Sequence, residues 1–231
     1  MKSYYLNKLN LLTNKTVLIP CIIVYFILIL ITVSNTYGSN LLIAVINQFN
    51  QTLEKDLLFI PIGIFLVCTL FDNRAIYKIR YTSLRVWLKR DMRFLVTILL
   101  FYTIIYVFLA VTTNIVATFV LATEKIRLDF STLNSMILLS FRRYVFLLML
   151  LNFIITGTLI SEKSTHIVGF VCYVFFEVLQ LFEMMSPITI IRPNIDLTIS
   201  FLGNVFYAIP TIGLLLLTVA FNFKYINGDK S

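Results

Sequence analysis

The sequence predicts an all-α polytopic membrane protein with six transmembrane helices and both termini in the cytoplasm. Three observations carry that prediction. Of 231 residues, 59% are hydrophobic and 13% charged, against ~45–50% and ~25% in soluble domains. A globular core of this size cannot hide so much apolar surface, so the solvent must be lipid. The apolar residues fall in long runs; at ~20 residues per span there is room for about six spans and no soluble domain of useful size. Finally, the one long polar interruption, FDNRAIYKIRYTSLRVWLKRDMR at 71–93, is basic, as cytoplasmic loops of membrane proteins are.

A net charge of +8 on a soluble protein would suggest nucleic acid. Here the positive-inside bias accounts for it, and no aromatic-interleaved basic groove is visible, so no nucleic-acid partner is expected. Cys21, Cys68 and Cys172 sit far apart inside apolar runs without a CxxC, which supports neither redox nor zinc chemistry. The polar, aromatic N-terminus runs into the first apolar stretch with no small-residue cleavage site, as in an uncleaved first span.

The whole chain, 1–231, reads as a single transmembrane domain. Residues 1–16 carry Lys2, Lys8 and Lys15 with Tyr5, Leu9 and Leu12 at helical spacing, which suits a helix lying in the inner interface; a frayed tail is the alternative. Span one covers 17–33. The apolar stretch 41–49 is too short to cross and is expected to pack at the outer face as an amphipathic helix. Span two covers 57–71, with Pro61 near its start, where a missing N–H costs a helix little. Span three, 94–121, is longer than the hydrocarbon needs, so it tilts or protrudes. Residues 130–141 are semi-apolar and expected to lie flat outside, followed by span four at 144–160. A tight polar turn at 161–166 leads to span five at 167–182. Residues 183–197, with Pro187 and Pro193, form an outer connection. Span six covers 197–221, with Pro210 in its middle. This order places most Lys and Arg inside, but it puts Arg142 and Arg143 outside.

Catalytic machinery is not legible. The glycines never fall in GxxxxGK or GxGxxG spacing, so the chain holds no nucleotide by a phosphate loop. The one histidine, His166, lies in a turn without Cys or carboxylate at ligand spacing, short of the three or four ligands zinc needs. HExxH and GxSxG are absent. No catalytic residue, metal site or resident cofactor is therefore expected. Glu177, in VFFEVLQLFE near the middle of span five, is the most unusual residue. A carboxylate in hydrocarbon costs several kcal/mol and must face protein or water, or stay protonated. A structural hydrogen bond and a place on a translocation path are equally open for it. Thr112, Thr113 and Asn114 form a polar patch in span three, where interhelical hydrogen bonding and a substrate path are the two readings.

The basic segment 72–93 contains Arg74, Lys78, Arg80, Arg85, Lys89, Arg90 and Arg93, opposed by Asp72 and Asp91. As one helix its faces do not segregate, so two short helices fit better. The first covers 74–80; Thr82 or Ser83 caps a second, which leads through Trp87 at headgroup level into span three. A transverse helix tied to two spans is what a motor domain could push on, and a plain positive-inside loop is the alternative.

An apolar first span, a semi-apolar outer segment, a second span ending in FDNRAIYKIRYTSLRVWLKRDMR and four further spans resemble the six-helix permease subunits of bacterial ABC exporters of the second permease type. The similarity is greatest to small Gram-positive permeases of peptide export or antimicrobial-peptide immunity, and it is one of layout. The resemblance implies that 72–81 is a coupling helix docking in a separate ATPase chain, with Arg74, Lys78 and Arg80 pairing acidic groups and Tyr77 and Tyr81 filling its groove. It implies that 1–16 is an elbow helix, and that 184–196 corresponds to outer re-entrant helices. ATP and magnesium would belong to the ATPase, so this chain is expected not to be an enzyme. A second permease copy or paralogue, a bacterial cytoplasmic membrane and an amphipathic peptide or lipid-like cargo are likewise implied. The alternative is a non-transporting immunity or accessory protein that binds an antimicrobial peptide.

Overall fold

Long apolar runs free of Gly and Pro become long helices, because nothing interrupts the i to i−4 ladder. The computed structural model describes residues 58–71, 84–121, 130–161 and 164–184, with isolated positions at 10, 19, 20, 22, 23, 26, 27, 43, 45, 46, 202–206, 209, 212, 213, 215–217, 219 and 220. Four helices result: α1 (Ile60–Leu70), α2 (Leu84–Leu121), α3 (Phe130–Ser161) and α4 (Thr165–Met184). Among the described residues there is no strand. At 1.5 Å per residue, α2 is ~57 Å long and α3 ~48 Å, both beyond the ~30 Å of a bilayer core.

Helix ends follow local chemistry. Pro61 occupies the first turn of α1, where its missing N–H leaves no bond unmade. Phe71 ends α1 in extended backbone and returns its N–H to the Val67 carbonyl at 2.8 Å. Before α4 the Ser164 carbonyl accepts from the Ile167 and Val168 N–H groups at 3.0 and 3.2 Å. The polar turn expected at 161–166 is thus where one helix stops and the next starts.

α3 is the central helix and packs against α1, α2 and α4; α1 also packs on α4 and α2. Close crossings are made at glycines. A Cβ on Gly169 of α4 would land on Cys68 Sγ and sit 3.1 Å from Ile64 Cγ2 of α1, and one on Gly157 of α3 would sit 2.8 Å from Val168 of α4. Small residues let helix backbones approach in this way. At the first crossing the Cys68 thiol donates to the Thr165 carbonyl at 3.3 Å.

The distribution of side chains is inside-out. Asp91, Asn114, Arg142, Arg143 and Asn152 are buried, while Phe101, Phe108, Phe141, Phe170 and Phe175 are exposed. α2 over Leu88–Val116 and α3 over Leu133–Ser161 are long and apolar enough to cross a membrane; α1 and Thr165–Val178 of α4 are shorter apolar helices.

One expectation needs correction. The stretch 130–141 does not lie flat as a separate segment: α3 is one helix from Phe130 to Ser161. No Gly or Pro occurs before Gly157 to break it, and Arg142 and Arg143 are 2% and 1% exposed, so the pair is packed within a continuous helix of the bundle and not in a connecting segment. Within 41–49, the described positions 43, 45 and 46 are helical, and Val45 and Ile46 are buried in the core. The elbow at 1–16, most of spans one and six, and the connection 185–197 lie outside the described residues, although Ile27 and Leu215 pack against the core.

Candidate functional site

The interior of α3 carries a stripe at helical spacing: Leu139, Arg142, Arg143, Phe146, Leu147, Leu150 and Ile154 are all buried. The arginines hold positions that apolar residues hold elsewhere on that stripe. Their direction follows from their neighbours four residues on. Leu147 meets Gly63 of α1, so Arg143 faces α1; Phe146 meets Phe176 of α4, so Arg142 faces α4.

Arg143 lies on an aromatic platform. Its guanidinium carbon is 4.8 Å from the centre of the Phe59 ring, a distance at which a cation is attracted to the negative ring face. Phe59 stacks on Tyr102 of α2 at 5.4 Å and meets Tyr106 edge-on at 4.9 Å. The Tyr102 hydroxyl donates to the Phe59 carbonyl at 2.9 Å, which pins the start of α1 to α2. The Tyr144 hydroxyl donates to the Val96 carbonyl at 3.3 Å and sets the level of α3 against α2. One cluster therefore joins three helices. Arginine keeps its charge even when buried, so the cluster places a cation inside the bundle. Tyr102→Phe keeps the ring stack and removes the hydroxyl; the expected loss is about 1 kcal/mol of stability, read as a small fall in the detergent melting temperature.

The remaining predicted residues lie elsewhere. Thr112 donates to the Phe108 and Leu109 carbonyls and Thr113 to those of Leu109 and Ala110, all within 2.6–3.0 Å. The interhelical bonding expected of these two threonines is replaced by bonds to their own helix, because a hydroxyl reaches the i−3 and i−4 carbonyls without needing a neighbour. Asn114 is fully buried and its amide donates to the Ala110 carbonyl at 2.8 Å. This patch begins ten residues, ~15 Å, beyond Tyr102 along α2. Glu177 is half-buried, next to Phe176, whose ring meets Phe146 and Phe153. The structure thus sets Phe176, the neighbour of Glu177, against α3, and the threonine patch further along α2. Arg74, Tyr77, Lys78, Arg80 and Tyr81 lie outside the described residues. Helix α2 does begin at Leu84, directly after Ser83, and runs unbroken through the position of Trp87.

Sequence reasoning missed Phe59, Tyr102, Tyr106 and the interior position of the arginines. The spacing of Arg142 and Arg143 with Phe146 and Leu147 was the available signal, outweighed by reading charge as a mark of the membrane edge. Among the described residues no group of three His, Cys, Asp or Glu is placed to hold a metal ion.

Among the described residues, fold and site define an all-helical bundle with two helices of membrane-crossing length and composition, an apolar core that also holds several polar groups, and many large apolar side chains facing out. No protein-family model, curated protein or solved structure matches the chain.

Proposed function

We propose that the chain is the permease subunit of an ABC exporter of the six-helix type. In this reading it crosses the bacterial cytoplasmic membrane six times, keeps both termini inside and works with a separate ATPase chain and a second permease copy or paralogue. The observation that supports it is the continuity of α2. Residues 84–93 of the basic segment and the membrane-crossing part of α2 are one helix, and that helix carries Tyr102 and Tyr106 onto the Phe59–Arg143 cluster. A push on the basic end cannot be absorbed by a hinge; it arrives at the joint between α1, α2 and α3.

ATP, with magnesium, closes the ATPase subunits and draws on the coupling segment. Arg74, Lys78 and Arg80 pair with acidic groups of the ATPase, and Tyr77 and Tyr81 fill its groove. Helix α2 tilts, and a path opens between permeases for an amphipathic peptide or lipid-like cargo. Thr112, Thr113, Asn114 and Glu177 are the candidates to line it.

Two measurements test this reading. The tagged chain should co-purify an ATPase, whereas a non-transporting immunity protein should not. Tyr77→Asp should abolish substrate-stimulated ATP hydrolysis and transport while insertion stays at the wild-type level. Unchanged stimulation in that variant counts against the coupling assignment.

A further inference from the structure

The later part of the basic segment, from Leu84, belongs to α2. Lys89 and Arg93 are four residues apart and both exposed, whereas Leu88, Asp91 and Leu95 on the opposite side are buried. The exposed face continues through Thr97 to Leu100, Phe101, Ile104 and Phe108, the positions that follow Lys89 and Arg93 at helical spacing. Thr97 turns its hydroxyl back to the Arg93 carbonyl at 2.9 Å, so it adds little polarity to that face. Two cations therefore head an uninterrupted apolar strip on one side of one helix.

The same switch occurs on α4, where exposed Ser164 and His166 give way to exposed Ile167, Phe170 and Val171. The two switches lie at the same end of the bundle. Cys68, near the end of α1, bonds the Thr165 carbonyl. Phe59, nine residues earlier, meets Tyr102, which puts Cys68 level with Arg93, nine residues before Tyr102. From Arg93 to Ile104 the rise is ~16 Å, about one leaflet of a ~30 Å hydrocarbon core.

We infer that the outer face of α2 binds an anionic phospholipid, its headgroup on Lys89 and Arg93 and its acyl chains along Leu100, Phe101, Ile104 and Phe108. A lipid is favoured over an acidic protein because the apolar strip runs a full leaflet beyond the cations in the same direction. An anionic headgroup is favoured over a zwitterionic one because the α2 carboxylate Asp91 is on the buried face. Lys89 and Arg93 thus serve a different partner from Arg74, Lys78 and Arg80. The inference rests on the membrane-crossing part of the reading above and not on the ATPase.

The test is electron spin resonance of the full chain in phosphatidylcholine vesicles, with spin-labelled phosphatidylglycerol or spin-labelled phosphatidylcholine as probe. Incorporation into the vesicles checks the membrane reading by itself. The wild type should hold the glycerol probe over the choline probe, by up to about five-fold per basic side chain near the surface, and salt should weaken the preference. K89Q/R93Q should lose the preference; K89R/R93K should keep it. K125Q/R127Q, the same charge change elsewhere in the chain, should also keep it. The inference is overturned if the wild type shows no preference, if K89Q/R93Q retains it, or if K125Q/R127Q loses it equally. It is also overturned if K89Q/R93Q instead loses an acidic protein that the wild type co-purifies.

Discussion

Gly169→Leu is expected to break the bundle. A Cβ at this position already falls on Cys68 Sγ and sits 3.1 Å from Ile64 Cγ2, before the rest of a leucine is counted. Neither neighbour can step aside, since both are buried and Cys68 is tied to the Thr165 carbonyl. α4 must therefore move away from α1, and the thiol–carbonyl bond goes with it. Overpacking typically costs ~1–3 kcal/mol and sometimes more; leucine exceeds the space by several atoms, so the upper end or beyond is expected. Native proteins have only ~5–15 kcal/mol to lose. The variant should aggregate on size exclusion in detergent or melt far below the wild type. Gly213→Leu is the control, because a Cβ there meets nothing within 4 Å; it should behave as wild type. A monodisperse Gly169→Leu protein with an unchanged melting temperature would contradict the α1–α4 crossing.

The second large effect is expected at Arg143. Arg143→Ala removes the cation from the Phe59 ring, leaves a cavity where a 1% exposed side chain was packed, and strands whatever polar group the guanidinium satisfies. Removing one member of a buried charged contact costs ~3–5 kcal/mol. Arg143→Lys keeps the charge but not the flat guanidinium that stacks on an aromatic face, so it should fall between. Melting temperatures of the three proteins in one detergent should run wild type, then Lys, then Ala. If Arg143 were exposed on the protein surface, all three would melt together, because surface substitutions change stability by ~0.5 kcal/mol or less.

Hydropathy is a local property, and what depends on it was legible. The helices at Ile60–Leu70 and Thr165–Met184 lie where apolar runs and Pro61 put them, and the break between Ser161 and Thr165 lies in the polar turn. The expectation that a helix starting after Thr82 or Ser83 leads through Trp87 into the long span matches the start of α2 at Leu84. Thr112 and Thr113 were legible as a polar pair but not in their bonding. Residue type shows that a hydroxyl needs a partner; only the helix geometry shows that its own carbonyls are nearer than any neighbour.

By itself the sequence determined that the described part of the chain is helical and which stretches are apolar enough to cross a membrane, because backbone bonding and side-chain hydropathy are settled within a few turns. Tertiary structure alone decided that Arg142 and Arg143 lie inside and that Phe59, Tyr102 and Arg143 meet. It also decided that Lys89 and Arg93 look outward while Asp91 between them looks in. The reason is that a helix has every azimuth available to it. Which face becomes the interior depends on the neighbouring helices, and those are fixed by contacts such as Gly169 on Cys68 and Gly63 on Leu147, between residues far apart in the chain.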